Sequence, residues 1–130
     1  MKILVGYDGS KVAEEALELS RKYARLFEGH IHIVTSLQQS HELAKEDIEE
    51  AEDKLEHLKL NFDFDKIPSE THASVTYLTP GEDLVQFAKE NKIDLIFIGV
   101  RKRSKVGKLV FGSTAQYVIL EAPCPVVTVK

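Results

Sequence analysis

Residues 99–113, Gly-Val-Arg-Lys-Arg-Ser-Lys-Val-Gly-Lys-Leu-Val-Phe-Gly-Ser, bring together the residue types that hold a phosphate. Arg101, Lys102, Arg103, Lys105 and Lys108 supply positive charge, and Gly99, Gly107 and Gly112 let backbone approach a ligand closely. Ser113 opens a helical pattern through Tyr117, Leu120 and Glu121 and is expected as its N-cap. The first amides of a helix lack intrahelical partners and sit at the positive end of its dipole, so an anion at Ser113 finds both donors and a favourable field. The stretch carries five positive charges in a chain of net charge −4, which leaves −9 on the remainder. An acidic chain with one concentrated basic loop argues against nucleic-acid binding, which draws on extended basic surfaces, and favours a small phosphorylated ligand.

Such a loop works only if the fold holds its two ends. The run Ile93-Asp94-Leu95-Ile96-Phe97-Ile98-Gly99 is apolar except for Asp94 and short, as expected of a buried parallel strand. Upstream, residues 2–7 read as a first strand and Asp8-Gly9-Ser10 as a turn. A helix follows with the stripe Ala13, Ala16, Leu17, Ser20, Ala24 and Phe27, ended by Gly29. Residues 31–37 read as a second strand. Residues 41–60 read as a helix with its seam at Ala44, Ile48, Ala51, Leu55 and Leu58. Residues 61–70 are expected as a loop pinned by Phe62 and Phe64, residues 73–78 as the third strand, and 82–91 as a helix after the turn Thr79-Pro80-Gly81. Residues 125–129 read as the fifth strand. Strands alternating with helices predict a single α/β domain over residues 1–130. The expected fold is a doubly wound five-stranded parallel sheet of order 3-2-1-4-5, with helices on both faces. Ligands of such sheets bind at the strands' carboxyl ends where the order reverses, which sets Asp8 and Gly99 on one crevice.

Other chemistries fit less well. The first turn, Gly6-Tyr7-Asp8-Gly9-Ser10, lacks the G-x-G-x-x-G spacing of dinucleotide folds. A P-loop fails around Gly107-Lys108, because position 102 is Lys where that motif needs Gly and position 109 is Leu where it needs Ser or Thr. Asp8 has two readings, a turn residue capping the first helix and a carboxylate that meets a ribose or a phosphate-bound Mg²⁺. His30, His32, His41, His57 and His72 fall away from the crevice, and His41 and His57 match no zinc spacing, so surface histidines and no metal site are expected. Glu46, Glu49, Glu50, Glu52 and Asp53 read as a solvated helix face. Cys124, the single cysteine, reads as a packing residue and makes no intramolecular disulfide. The apolar run Ile3-Leu4-Val5 is too short for a signal peptide or membrane span, which makes the cytoplasm the expected location.

Three segments together resemble the universal stress protein superfamily: Ile-Leu-Val-Gly-Tyr-Asp-Gly-Ser at residues 3–10, the loop 99–113, and Glu-Ala-Pro-Cys-Pro-Val-Val-Thr-Val-Lys at 121–130. The resemblance covers essentially the whole chain. Members that bind ATP carry G-x2-G-x9-G-[ST], which falls here on Gly99, Lys102, Gly112 and Ser113, with Lys102 in place of the second glycine. The resemblance implies close backbone approach at Gly99 and Gly112 and phosphate contacts from Ser113 and Thr114. It places Asp8 by the ribose or metal, behind Gly6 and Tyr7 on the same crevice, and the main chain of Ser36 by the adenine. Arg101, Lys102 and Arg103 add charge for the phosphates. The implied function is regulatory binding of an adenine nucleotide, ATP with Mg²⁺ or AMP, without rapid turnover. The implied homodimer pairs the last strand, through Val126, Val127 and Val129, with its counterpart. The alternative is a protein-interaction module of the same fold that Lys102 has deprived of nucleotide. Slow ATP hydrolysis would need a group to position water, for which Asp8 is the only candidate.

Overall fold

The computed structural model describes residues 1–100, 102–103 and 109–130, with the backbone alone at 102–103 and 109–110. Its elements are β1 (Lys2–Gly6), α1 (Lys11–Phe27), β2 (His30–Gln38), α2 (Lys45–Phe64), β3 (Ser69–Thr76), α3 (Pro80–Glu90) and β4 (Leu95–Gly99). Two short strands, β5 (Lys102–Arg103) and β6 (Leu109–Val110), precede α4 (Ser113–Glu121) and β7 (Val126–Val129). The main sheet is parallel throughout, as the alternation of elements predicts, and its order β3-β2-β1-β4-β7 is the expected one. The segment expected as a plain loop contains a short antiparallel ladder instead, with Lys102 opposite Val110 and Arg103 opposite Leu109.

Because side chains alternate across a strand, each strand feeds two cores. Ile3, Val5, Ile31, Ile33 and Phe97 face α1 and α2, meeting Ala13, Leu17, Leu55, Leu58 and Phe62. Leu4, Val34, Ile96 and Ile98 turn the other way onto Leu84, Val85 and Ala88 of α3 and Val118 of α4. Cys124 packs against this second core; burial, and then the nearby Asp94, push its thiol pKa up, as expected of a packing residue. Among the described residues no helix is long and apolar enough to cross a membrane.

Several element boundaries differ from expectation. Helix α2 starts at Lys45, where the Asp47 carboxylate accepts from the amide of Ala44 at 2.9 Å, and it runs through residues expected to form a loop. The alternation Phe62-Asp63-Phe64-Asp65 masks a helical stripe, since Leu55, Leu58 and Phe62 lie three and four apart on one buried face. Phe62 is fully buried with the Arg21 guanidinium 4.3 Å from its ring centre, and Arg21 also pairs with Asp65 at the end of α2. Phe64 points outward, 88% exposed, and pins nothing. Strand β3 accordingly begins at Ser69. In α1 the stripe is buried as expected except for Phe27, which is 54% exposed. Glu28, with φ 52°, takes the left-handed cap, while Gly29 serves close packing: a Cβ there would stand 2.9 Å from Ile3 Cδ1 and 3.2 Å from Ala24 Cα. The acidic residues of α2 all face solvent, as predicted.

The histidines need a larger correction. His32 is only 6% exposed and stacks between His30 and His72, with Phe87 of α3 against the rings of His32 and His72. Burial lowers the pKa of His32 below its ordinary value, against the opposing pull of Glu70, so the neutral ring is favoured. His72 belongs to this group because β3 starts earlier than the sequence suggests.

The extended α2 makes a direct test possible. Phe62→Ala should cost about 3–5 kcal/mol of unfolding free energy in urea titration, while Phe64→Ala should stay within about 0.5 kcal/mol.

Candidate functional site

Strand β1 pairs with β2 on one side and β4 on the other, so the connections leaving β1 and β4 diverge to opposite faces and open a crevice at their carboxyl ends. A cavity of about 280 Å³ lies there. Gly6, Tyr7, Asp8, Ser36, Gly99, Gly112, Ser113 and Thr114, predicted from segments far apart in sequence, all line it. Of the remaining predicted residues, Arg101 lies outside the described residues, and for Lys102 and Arg103 only the backbone is described.

At the mouth, the turn after β1 is built by hydrogen bonds. Asp8 Oδ1 accepts from the amide of Ser10 at 3.0 Å, and Ser10 Oγ accepts from the amide of Ala13 at 3.2 Å. Ser10 is thus the cap of α1, and Asp8 shapes the turn before it with its carboxylate exposed at the crevice. Gly9 completes the turn at φ 81°, a conformation costly for residues with a side chain. Tyr7 is nearly buried and its hydroxyl donates to Glu14, while burial and that neighbouring carboxylate push its pKa far up. The phenol is therefore committed to α1, and Tyr7 contributes to the wall rather than a free hydroxyl.

On the β2 side, the amide of Tyr7 donates to the carbonyl of Val34 at 2.9 Å. The same alternation aims the main chain of Ser36 past the end of β1 and into the crevice. Its hydroxyl is taken up elsewhere, donating to Asp83 Oδ2 of α3 at 2.6 Å. Gly99 ends β4 against the first turn of α1. A Cβ on it would stand 2.7 Å from Val12 Cγ2 and 3.0 Å from the Val12 backbone. The glycine here lets a helix and a strand end meet, which brings Ser10 and Gly99 to the same wall.

The fourth helix begins one residue earlier than expected, in its capping sense. Gly112, extended at φ −67° and ψ 161°, is the N-cap, and Ser113 and Thr114 are the first helical residues. The difference has a chemical consequence. Ser10 caps α1, and Thr79 caps α3 by a reciprocal pair in which Glu82 accepts from Thr79 and Thr79 Oγ1 accepts from Glu82. Helix α4 has no side-chain cap, so its first amides face the cavity without a side-chain acceptor. Pro80, Ala13, Val34, Leu84, Ile98 and Ala115 also line the cavity and were not singled out from sequence. All but Pro80 are buried core positions, and in the sequence only the spacing of Val34 two before Ser36, and the place of Ile98 just before the end of β4, hint at them. The cavity is thus apolar on its β2 and α3 sides and rich in backbone donors on its α4 side.

The universal stress protein family model matches residues 1–130. A universal stress protein of Thermus aquaticus is 32% identical over 138 residues, covering 98% of this chain and 97% of the relative. Among solved structures, a universal stress protein from Archaeoglobus fulgidus is 38% identical with a TM-score of 0.89, covering 100% of this chain and 98% of the other. A second structure, described as the universal stress protein from Archaeoglobus fulgidus in complex with dAMP, is 34% identical with a TM-score of 0.84, again over 100% and 98%. Matched along its length and sharing this fold with relatives above 30% identity, the chain belongs to the universal stress protein family.

Proposed function

We propose that this protein binds an adenine nucleotide in the β1–β4 crevice, as a regulatory ligand that is not rapidly turned over. The observation that carries the reading is the uncapped start of α4, with Ser113 and Thr114 on the wall of a cavity that Ala13, Val34, Leu84 and Ile98 line with apolar side chains. A phosphate is the acceptor those amides lack. Ala13, Val34, Leu84 and Ile98 suit a base and sugar, with the Ser36 main chain beside them as the polar group that orients adenine. Asp8 serves the ribose or a Mg²⁺ carried by the phosphates. The structure of the Archaeoglobus relative with dAMP supports the ligand class.

These residues account for a nucleoside monophosphate. Further phosphates of ATP depend on Arg101, Lys102, Arg103 and the lysines that follow. Lys102 occupies a strand position opposite Val110, and extended backbone accepts any residue, so the missing glycine leaves binding possible. Among the described residues lining the cavity, Asp8 is the only carboxylate and no histidine is present, which favours binding over hydrolysis. The single cysteine suits a reducing cytoplasm.

We further propose a twofold dimer through β7, an edge strand of the main sheet. Carbonyls of Pro125 and Val129 accept from Ile96 and Val100 of the β4 segment, so the intervening Thr128 turns its amide outward to an incoming strand.

Calorimetry on ligand-stripped protein should show saturable binding of AMP, dAMP or ATP, and Asp8→Ala should weaken it about tenfold or more, ~1.4 kcal/mol. No released nucleotide on denaturation and no heat at millimolar nucleotide would leave the interaction-module reading in its place. In sedimentation, the wild type should run at twice its 14.6 kDa chain mass. Thr128→Pro, which removes only an outward amide, should run as a folded monomer.

A further inference from the structure

At the opposite, amino-terminal end of the sheet, a second polar group has no part in the crevice. His30 and His32 alternate on β2, so both rings leave the same face, and the parallel register sets Glu70 of β3 opposite His32 with His72 two residues on. His30 Nε2 lies 2.8 Å from Glu70 Oε2, and His32 Nδ1 lies 3.7 Å from the same oxygen. All three donor atoms fall within 4.8 Å of one another. His72 Nε2 approaches His32 Nδ1 to 3.4 Å.

We propose that His30 Nε2, His32 Nδ1 and Glu70 Oε2 bind a divalent first-row transition ion, Zn²⁺ foremost, with His72 Nε2 beside the fourth position. A tetrahedral ion holding donors at about 2.0–2.1 Å spaces them by roughly 3.3 Å, which small rotations of these side chains supply. Imidazoles with one carboxylate suit Zn²⁺, Co²⁺, Ni²⁺ or Cu²⁺, whereas Mg²⁺ and Ca²⁺ prefer oxygen ligands throughout.

The surroundings resemble a built site. The His30 and His32 rings stack at 4.9 Å, and Phe87 closes one side at 5.5 Å from His32 and 5.0 Å from His72. The other side is open, with His30 and Glu70 side chains 42% and 52% exposed, which gives an ion its entry. Lys2, paired in register with His30, is the positive charge nearby; its Nζ donates to the Asn91 carbonyl at 3.3 Å, and the Glu70 carboxylate offsets it. A bound ion would tie the edge strand β3 to β2 without touching the crevice, and so does not depend on the nucleotide reading.

The test uses the full chain, freed of metal by chelation and dialysis and assayed without nucleotide. Zn²⁺ titration at neutral pH should show one saturable micromolar site per chain, Co²⁺ should give the visible bands of a tetrahedral centre, and Mg²⁺ should do neither. His30→Ala and Glu70→Gln change exposed side chains that can be altered without loss of the core, and circular dichroism should verify their folding. Each should weaken Zn²⁺ at least about tenfold. Absence of saturable Zn²⁺ binding, or undiminished affinity in both folded variants, would overturn the assignment.

Discussion

The position of β1, hydrogen-bonded to β2 on one flank and to β4 on the other with all strands parallel, is the constraint on which the remaining structure depends. Parallel neighbours need crossovers, and right-handed crossovers to opposite flanks of one strand place their helices on opposite faces. The loops at that strand end must then part, and the gap between them is the crevice. The glycine at 99 refines this by letting the Val12 turn of α1 close against the end of β4. Any side chain there would move the floor of the cavity and the Asp8 turn with it.

The helices meeting at that crevice are not equivalent. Helices α1 and α3 satisfy their opening amides with Ser10 and Thr79, so these termini are locally complete and serve as walls. Helix α4 begins with glycine as its cap and exposes backbone donors to the cavity. A capping side chain contributes roughly 1 kcal/mol to a helix; its absence at one terminus, beside its presence at two others, concentrates the demand for an acceptor at a single place. The half-buried pair of Ser36 and Asp83 plays the complementary part, securing β2 to α3 so that the main chain of Ser36 is held at the cavity edge.

Much of this was legible in the residues. Short apolar runs at 2–7, 31–37 and 93–99, separated by amphipathic stripes, suffice for a parallel doubly wound sheet, whereas its strand order is seen in the pairing of the strands. Asp8 and Gly99 stood out as polar or flexible residues at the ends of apolar strands, and Gly112 and Ser113 as the residues that open a helix after the basic loop. What misled was local pattern in competition with longer period: Phe62-Asp63-Phe64-Asp65 alternates like a strand or loop, yet Phe62 completes the stripe of Leu55 and Leu58, and burial against Arg21 and the sheet keeps the helix going to Phe64. That error moved the start of β3 and hid the relation between His32 and Glu70, which exists only in the correct register.

The sequence by itself determined the alternation of elements, the class of sheet and the chemical character of the loop after β4, because hydrophobic period, turn residues and charge are local properties. Tertiary structure alone decided that Tyr7 spends its hydroxyl on Glu14, that Gly99 is required by Val12, and that His30, His32 and Glu70 share one face. Each of these joins residues through strand register or helix–sheet approach. Those quantities are set by how two cores pack on opposite sides of one sheet, and no short window of sequence carries them.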